Sequence, residues 1–287
     1  MKLGVICDGI SRDLPHAVDV MDEFGLEYAE LQFVGDKEVG DHTKAEIVEI
    51  DALLRARGKP VSCLSRHIFA GTSSANRPGD ALHCQHMDPL KRVIEMAHMV
   101  DAPLVRIMTP KKEQILWGTN GAEKWNVAHG AWDTMAPMIA PAVALAKAEG
   151  VTLVVETGNG TMVNSNYTAC RLIDELDAKD VLKVLWDPGN NCWCHELAYP
   201  DGYEGLRGGY LGHLHIKDVS VDTPRAMLEV RQMGEGQLAP FFQPIADALR
   251  VDGYDGVISF ESVYHPGDGD FEAGFRLCID QFKEIFA

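Results

Sequence analysis

The residues best suited to chemistry in this 287-residue chain lie in "LGHLHIKD", positions 211–218. The stretch reads as a buried strand, yet it carries His213, His215, Lys217 and Asp218. Alternate residues of a strand share a face. His213, His215 and Lys217 therefore point one way, and Leu214, Ile216 and Asp218 the other. A buried polar group without a partner costs about 2–7 kcal/mol. A face made of three such residues suits a site better than a core.

Three acids close similar apolar runs: Glu156 ends "VTLVVE", Asp187 ends "LKVLWD" and Glu261 ends "GVISFE". Glu156, Asp187, His215 and Glu261 are separated by 31, 28 and 46 residues, so each belongs to a different unit of the chain. Any one of them alone reads equally as part of a salt bridge. Together, three carboxylates converging in a partly dry space repel one another, and a divalent cation relieves that conflict. Three oxygens and one imidazole, with positions left for water or substrate, suit Mn²⁺, Mg²⁺ or Co²⁺, with zinc or iron as alternatives. Other polar strand ends are Asp8, His67 and Arg106, with Glu30 inside its run. Asn159, Asn190 and Asn191 occupy the turns "ETGNG" and "DPGNN". Their amides suit sugar hydroxyls, and suit turn conformation equally well.

These residues need elements to position them. Eight short apolar runs recur: 2–7, 28–34, 60–65, 103–108, 151–156, 182–187, 211–216 and 256–261. Near-continuous runs of this kind are the pattern of fully buried parallel strands. Segments of helical period separate most of them: 14–25, 44–58, 88–101, 130–150, 167–176, 238–253 and 271–287. Asp88 followed by Pro89 reads as a helix start, and Gly25 as a stop. The connection 191–210 holds a short helix at most. Strand then helix, eight times over, predicts a single (β/α)8 TIM barrel of the α/β class, one domain over 1–287. An open doubly wound sheet would want a G-x-G-x-x-G turn after the first strand, where this chain has "CDGISRD". Catalytic residues of such barrels lie at the C-terminal strand ends. The irregular stretch 67–86 is expected to line or cover the pocket, with His67, His83 and His86 reaching toward substrate.

The formal net charge of −17 argues against nucleic acid and anionic membrane surfaces as partners. No apolar run approaches the roughly 20 residues of a membrane span, and the N-terminus has no signal-peptide pattern. The expectation is a soluble cytoplasmic protein. Seven cysteines, an odd number, do not suggest a disulfide framework. "NNCWCHE" offers Cys192, Cys194 and His195 as metal donors but no second cluster, and reads as packed thiols. "MGEGQL" lacks the Lys and Ser/Thr of a phosphate loop.

The motifs "VVETGNG", "LWDPGNN", "GHLHIKD", "MGEGQL" and "DGYDGVISFES", in that order, resemble the xylose isomerase-like TIM-barrel superfamily and its sugar isomerase/epimerase branch. The resemblance runs nearly end to end. It implies one divalent metal, Mn²⁺ first with Mg²⁺, Co²⁺ or Zn²⁺ as alternatives, held by Glu156, Asp187, His215 and Glu261. It further implies a keto-sugar or other small sugar as substrate, with Glu156 and Glu261 as the acid–base pair. His67, Arg106, Asn190, Lys217 and Asp218 are the expected substrate-binding residues, with Lys217 and Asp218 at the rim. Phe69, Trp117, Trp186, Trp193 and Tyr264 are candidates for stacking on a sugar face, or for barrel packing. The implied chemistry removes a proton beside a carbonyl through an enediolate, giving isomerisation or epimerisation. A lyase of the same fold, eliminating water or an aglycone, is the alternative, and a homo-oligomer is compatible with either. Two features depart from the ketose 3-epimerases: Asn190 stands where they carry His, and "KDVSVDTPR" follows the H-x-H strand.

Overall fold

A computed structural model describes residues 1–73, 75–112, 131–267 and 269–287. Eight parallel strands close into a barrel: β1 (Lys2–Ile6), β2 (Tyr28–Leu31), β3 (Val61–Ile68), β4 (Leu104–Ile107), β5 (Thr152–Glu156), β6 (Leu182–Trp186), β7 (Leu211–Ile216) and β8 (Val257–Phe260). Each pairs with its sequence neighbour, and β1 pairs with β8 to complete the ring. All eight apolar runs of the sequence are barrel strands.

Among the described residues, seven long helices surround it: α1 (Leu14–Phe24), α2 (Lys44–Ala56), α3 (Ala81–Met99), α4 (Met135–Glu149), α5 (Asn166–Glu175), α6 (Ala239–Val251) and α7 (Phe271–Phe286). Their ends follow local chemistry. Thr43 and Glu46 cap the start of α2 reciprocally, and Ser165 accepts from the Thr168 N–H at the start of α5. Gly25 stops α1 at φ 68°, a conformation that favours glycine. After β6 only short helical turns occupy 188–194 and 198–205.

The structure corrects the stretch 67–86. β3 runs on to Ile68, and α3 begins at Ala81 rather than at Asp88, so the connection shrinks to 69–80. Pro89 lies inside α3, where it removes one helical hydrogen bond. Packing overrides that local signal. His86 Nδ1 accepts the Phe69 N–H at 2.9 Å, and His83 is buried with Nε2 3.2 Å from the Met138 carbonyl. Both histidines thus tie α3 to its surroundings, His86 to the chain just after β3 and His83 to α4. Two hairpins also appear that the strand pattern did not distinguish, 33–34 with 37–38 and 218–222 with 227–231.

The apolar filling inside the barrel is thin. Cys63, Val154 and Leu185 form a separate small cluster, with Leu104 against it. Two residues further along the same strands stand Ser65, Glu156, Asp187 and Arg106. Since alternate strand residues share a face, the interior changes from apolar to charged within one step toward the C-terminal strand ends.

Candidate active site and metal centre

Four strand ends supply the centre. Glu156 closes β5, Asp187 follows β6, His215 lies in β7 and Glu261 follows β8. One ligand atom from each of Glu156, Asp187 and His215 lies within 4.8 Å of the others, and all three side chains are buried. His215 Nδ1 has no hydrogen-bond partner and sits 3.8 Å from Glu156 Oε1. A buried, unpartnered imidazole nitrogen beside two carboxylates is a fitting donor set for a divalent ion. Glu261 joins through Lys217, whose ammonium donates to both Asp187 and Glu261. Glu261 is the most open of the four, with about a fifth of its side chain (21%) exposed.

Charge is balanced unevenly. Burial pushes Glu156 toward its neutral form, but the Arg106 guanidinium, with help from His215 and Lys217, holds it down to about 2. Arg106 Nη1 donates to Glu156 Oε2 at 2.9 Å, while Nη2 donates to Gln32 Oε1 and the Ser65 carbonyl. Asn190 Nδ2 donates to the other Glu156 oxygen at 3.2 Å. Asp187 goes the opposite way. Burial, reinforced by Glu261 and Glu156, raises it to about 7 despite Lys217. Burial pulls His215 down, but Glu30 and Glu156 outweigh it and raise the imidazole to about 10. Burial likewise opposes the charge on Lys217, and its carboxylate neighbours push its pKa above the ordinary value.

Beneath this group lies Glu30 of β2, fully buried. It accepts from His213 Nε2 at 2.7 Å, from His215 Nε2 at 2.8 Å and from the Ser65 hydroxyl. Glu30, His213 and His215 form a second cluster with metal-ligand types, but their facing atoms are already committed to one another. Glu30 was visible in the sequence as a charge inside an apolar run. Its partners were not, because they lie 183 and 185 residues away.

The structure therefore brings Glu156, Asp187, His215, Glu261, Arg106, Asn190 and Lys217 together. It does not bring His67 or Asp218 to the same place. His67 is partly exposed and pairs through Nδ1 with Glu38 at 2.7 Å. Asp218 is buried, not at the rim, because it points to the opposite face of its strand from Lys217. There it accepts the backbone N–H groups of Val219, Gly234, Gly236 and Leu238. A Cβ at Gly236 would stand 2.2 Å from Asp218 Oδ1, so the close approach requires glycine there. Asn191 turns away to Glu196, and Asn159 is exposed. Trp186 and Phe69 are fully buried in the packing, Trp193 and Tyr264 are half-buried, and Trp117 lies outside the described residues. The Cys192 and Cys194 thiols bond to backbone carbonyls, and burial raises Cys192 to about 12, as packed thiols require.

A cavity of about 250 Å³ opens beside Glu261, lined by Asp8, Gln32, Arg12 and Ser262 among others. Burial raises the Asp8 pKa, although the Phe33 N–H donates to its carboxylate. Among the described residues no helix is long and apolar enough to cross a membrane.

Several solved structures share this fold over almost their whole length. An L-ribulose 3-epimerase superposes with a TM-score of 0.75 at 18% identity, covering 100% of this chain and 95% of that one. D-psicose 3-epimerase from Clostridium cellulolyticum H10, solved with D-tagatose, gives 0.72 at 15% identity, covering 100% and 99%. The IOLI protein with a binding zinc atom gives 0.73 at 16%, covering 100% and 98%. No curated protein sequence matches the chain. Residues 18–281 match a family described as xylose isomerase-like TIM barrel. The closed ring of eight strands, with its acids and histidine at the C-terminal ends, agrees with that match, and the chain belongs to the xylose isomerase-like TIM barrel family.

Proposed function

We propose that this chain is a divalent-metal-dependent isomerase or epimerase of a keto-sugar, acting by proton abstraction beside the carbonyl. The observation that carries the reading is the unpartnered, buried Nδ1 of His215 facing Glu156 and Asp187. Glu156, Asp187, His215 and Glu261 would hold the ion, with Mn²⁺ the expected one. Bound there, the ion would supply Lewis-acid polarisation of the substrate carbonyl.

The remaining steps belong to side chains. Glu261 borders the cavity and would take the proton from substrate carbon. Glu156, kept ionised by Arg106 and steadied by Asn190, is the second carboxylate of the pair. Returning the proton to the opposite face gives epimerisation, and returning it to the neighbouring carbon gives isomerisation. Lys217 balances the carboxylates when they carry full charge. Asp8 and Gln32 would meet sugar hydroxyls, since both can accept hydrogen bonds and both line the cavity. The family match and the epimerases sharing this fold support the reading.

The test is proton exchange. Metal-reconstituted protein is incubated in D2O with a panel of free ketoses, an inosose and a 3-keto-glycoside, and NMR follows loss of the proton beside the carbonyl. Exchange that disappears in Glu261→Gln supports the reading. A panel without exchange, but with release of water or an aglycone from a 3-keto-glycoside, would replace it with the lyase.

A further inference from the structure

We infer that Glu30 is a positioning residue for the metal centre: it fixes His215 with the proton on Nε2 and so reserves Nδ1 for the ion. The inference rests on the metal reading above and adds a residue outside the four proposed ligands.

The argument is one of geometry and donor inventory. In the ring order, β1 and β8 separate β2 from β7, so bonds between Glu30 and the two histidines cross the barrel interior. Glu30, His213 and His215 all have side chains with no exposed surface. Bulk water therefore cannot take over the holding of these rings. An ionised carboxylate only accepts hydrogen bonds. Both imidazole nitrogens that face it, at 2.7 and 2.8 Å, must then carry hydrogen. His215 is left with a single nitrogen for ligation, and that is the one turned toward Glu156 and Asp187. The Ser65 hydroxyl donates to the same carboxylate, and the Ser259 hydroxyl lies 3.2 Å from His213 Nε2. Glu30 is thus held from β3 and β7 while it holds β7. An outer hydrogen bond of this kind typically changes metal affinity by about 10–100-fold when removed.

Glutamine at position 30 tests this directly. Its carboxamide has one accepting oxygen and one donating nitrogen, so it can keep one histidine as found but must donate to the other. Two measurements decide the matter. The first is histidine 15N NMR of the wild-type protein loaded with Zn²⁺, a diamagnetic ion. The expected signature is a slowly exchanging proton on His215 Nε2 with Nδ1 ligated. Ligation through Nε2 overturns the inference without any variant. The second is calorimetric titration with Mn²⁺ and Zn²⁺. Glu30→Gln is expected to weaken both by about 10–100-fold and to alter the Nε2–H signal. Glu30→Asp, which keeps an accepting carboxylate, is expected to retain the signal and most of the affinity. If Glu30→Gln is insoluble, the wild-type spectrum and Glu30→Asp still decide. Wild-type protein that binds neither ion overturns the metal reading and this inference together. Wild-type protein that binds, with Glu30→Gln binding equally and the Nε2–H signals of both His213 and His215 unchanged, overturns this inference alone.

Discussion

The ammonium of Lys217 donates to the carboxylate of Asp187 where neither side chain sees appreciable solvent. Lys217 thus supplies, from within the chain, positive charge that the neighbouring acids need. Removing one partner of a buried pair typically costs about 3–5 kcal/mol. Lys217→Met is therefore expected to lower the stability of the metal-free protein by that order. It should also tighten Mn²⁺ binding by at least about tenfold, or 1.4 kcal/mol, because a competing cation is gone. Urea unfolding with and without Mn²⁺ checks both. Equal stability and equal affinity in the two proteins would dismiss the idea that lysine and ion share these carboxylates.

Affinity for the ion should depend on pH in two stages. Ligation requires an ionised carboxylate and an unprotonated imidazole nitrogen. Asp187 holds a proton below about 7, and His215 holds its second proton below about 10. Binding should therefore release about two protons per ion below pH 7 and about one between 7 and 10, with affinity rising as pH rises through both. For Asp187 alone the folding linkage has a definite sign. Its folded value lies above the ordinary carboxylate range, so its contribution to stability is full below that range. That contribution is lost as pH rises toward 7. Calorimetry in buffers of different ionisation enthalpy counts the protons. An affinity constant across this range would refute the assignment of both groups as ligands.

Glu261→Gln separates metal holding from proton transfer. The amide keeps an oxygen for the ion but has no basic oxygen for the substrate proton. Metal and substrate binding should survive in part, while turnover falls by at least about 10²-fold. Steady-state kinetics on the metal-loaded variant is the measurement. Near-normal turnover would remove Glu261 from the acid–base pair and favour the elimination chemistry.

Arg106→Lys tests the support of Glu156. The guanidinium spans three acceptors, Glu156, Gln32 and the Ser65 carbonyl, and an ammonium cannot reproduce that fork. Leaving a buried acceptor unmatched costs about 1–3 kcal/mol. The variant should lose stability of that order in thermal melts and lose turnover more than substrate binding. A variant indistinguishable from the parent in both would show that Glu156 needs no such partner.

The sequence displayed the barrel because each strand is its own apolar run, bounded locally. α3 starts ahead of the local Asp-Pro signal because contacts to Phe69 and Met138 hold its first turns, and no window around residue 88 contains them. The hairpin 218–222 with 227–231 carried a readable signal, the alternation in "DVSVD" and "MLEVR". The apolar run before it is the stronger pattern and merges with it. At the site, residue type and strand position placed Glu156, Asp187, His215 and Glu261 at one end of the barrel. What Glu30 and Asp218 do was hidden, since a carboxylate's role depends on which donors reach it across the fold. Glu30 meets two imidazoles from the far side of the ring, and Asp218 meets four backbone amides.

Those four amides constrain the timing of events at the centre. Asp218 fastens the backbone beside Lys217 to the 234–238 turn, so the lysine cannot leave Asp187 by a swing of the main chain. Its movement between the two carboxylates is confined to rotation of its own methylenes. Lys217 is buried and bonded to two carboxylates, so this rotation is slower than the picosecond-to-nanosecond hops of exposed side chains. Charge rearrangement among these acids accordingly depends on one side chain breaking its carboxylate contacts rather than on a moving backbone.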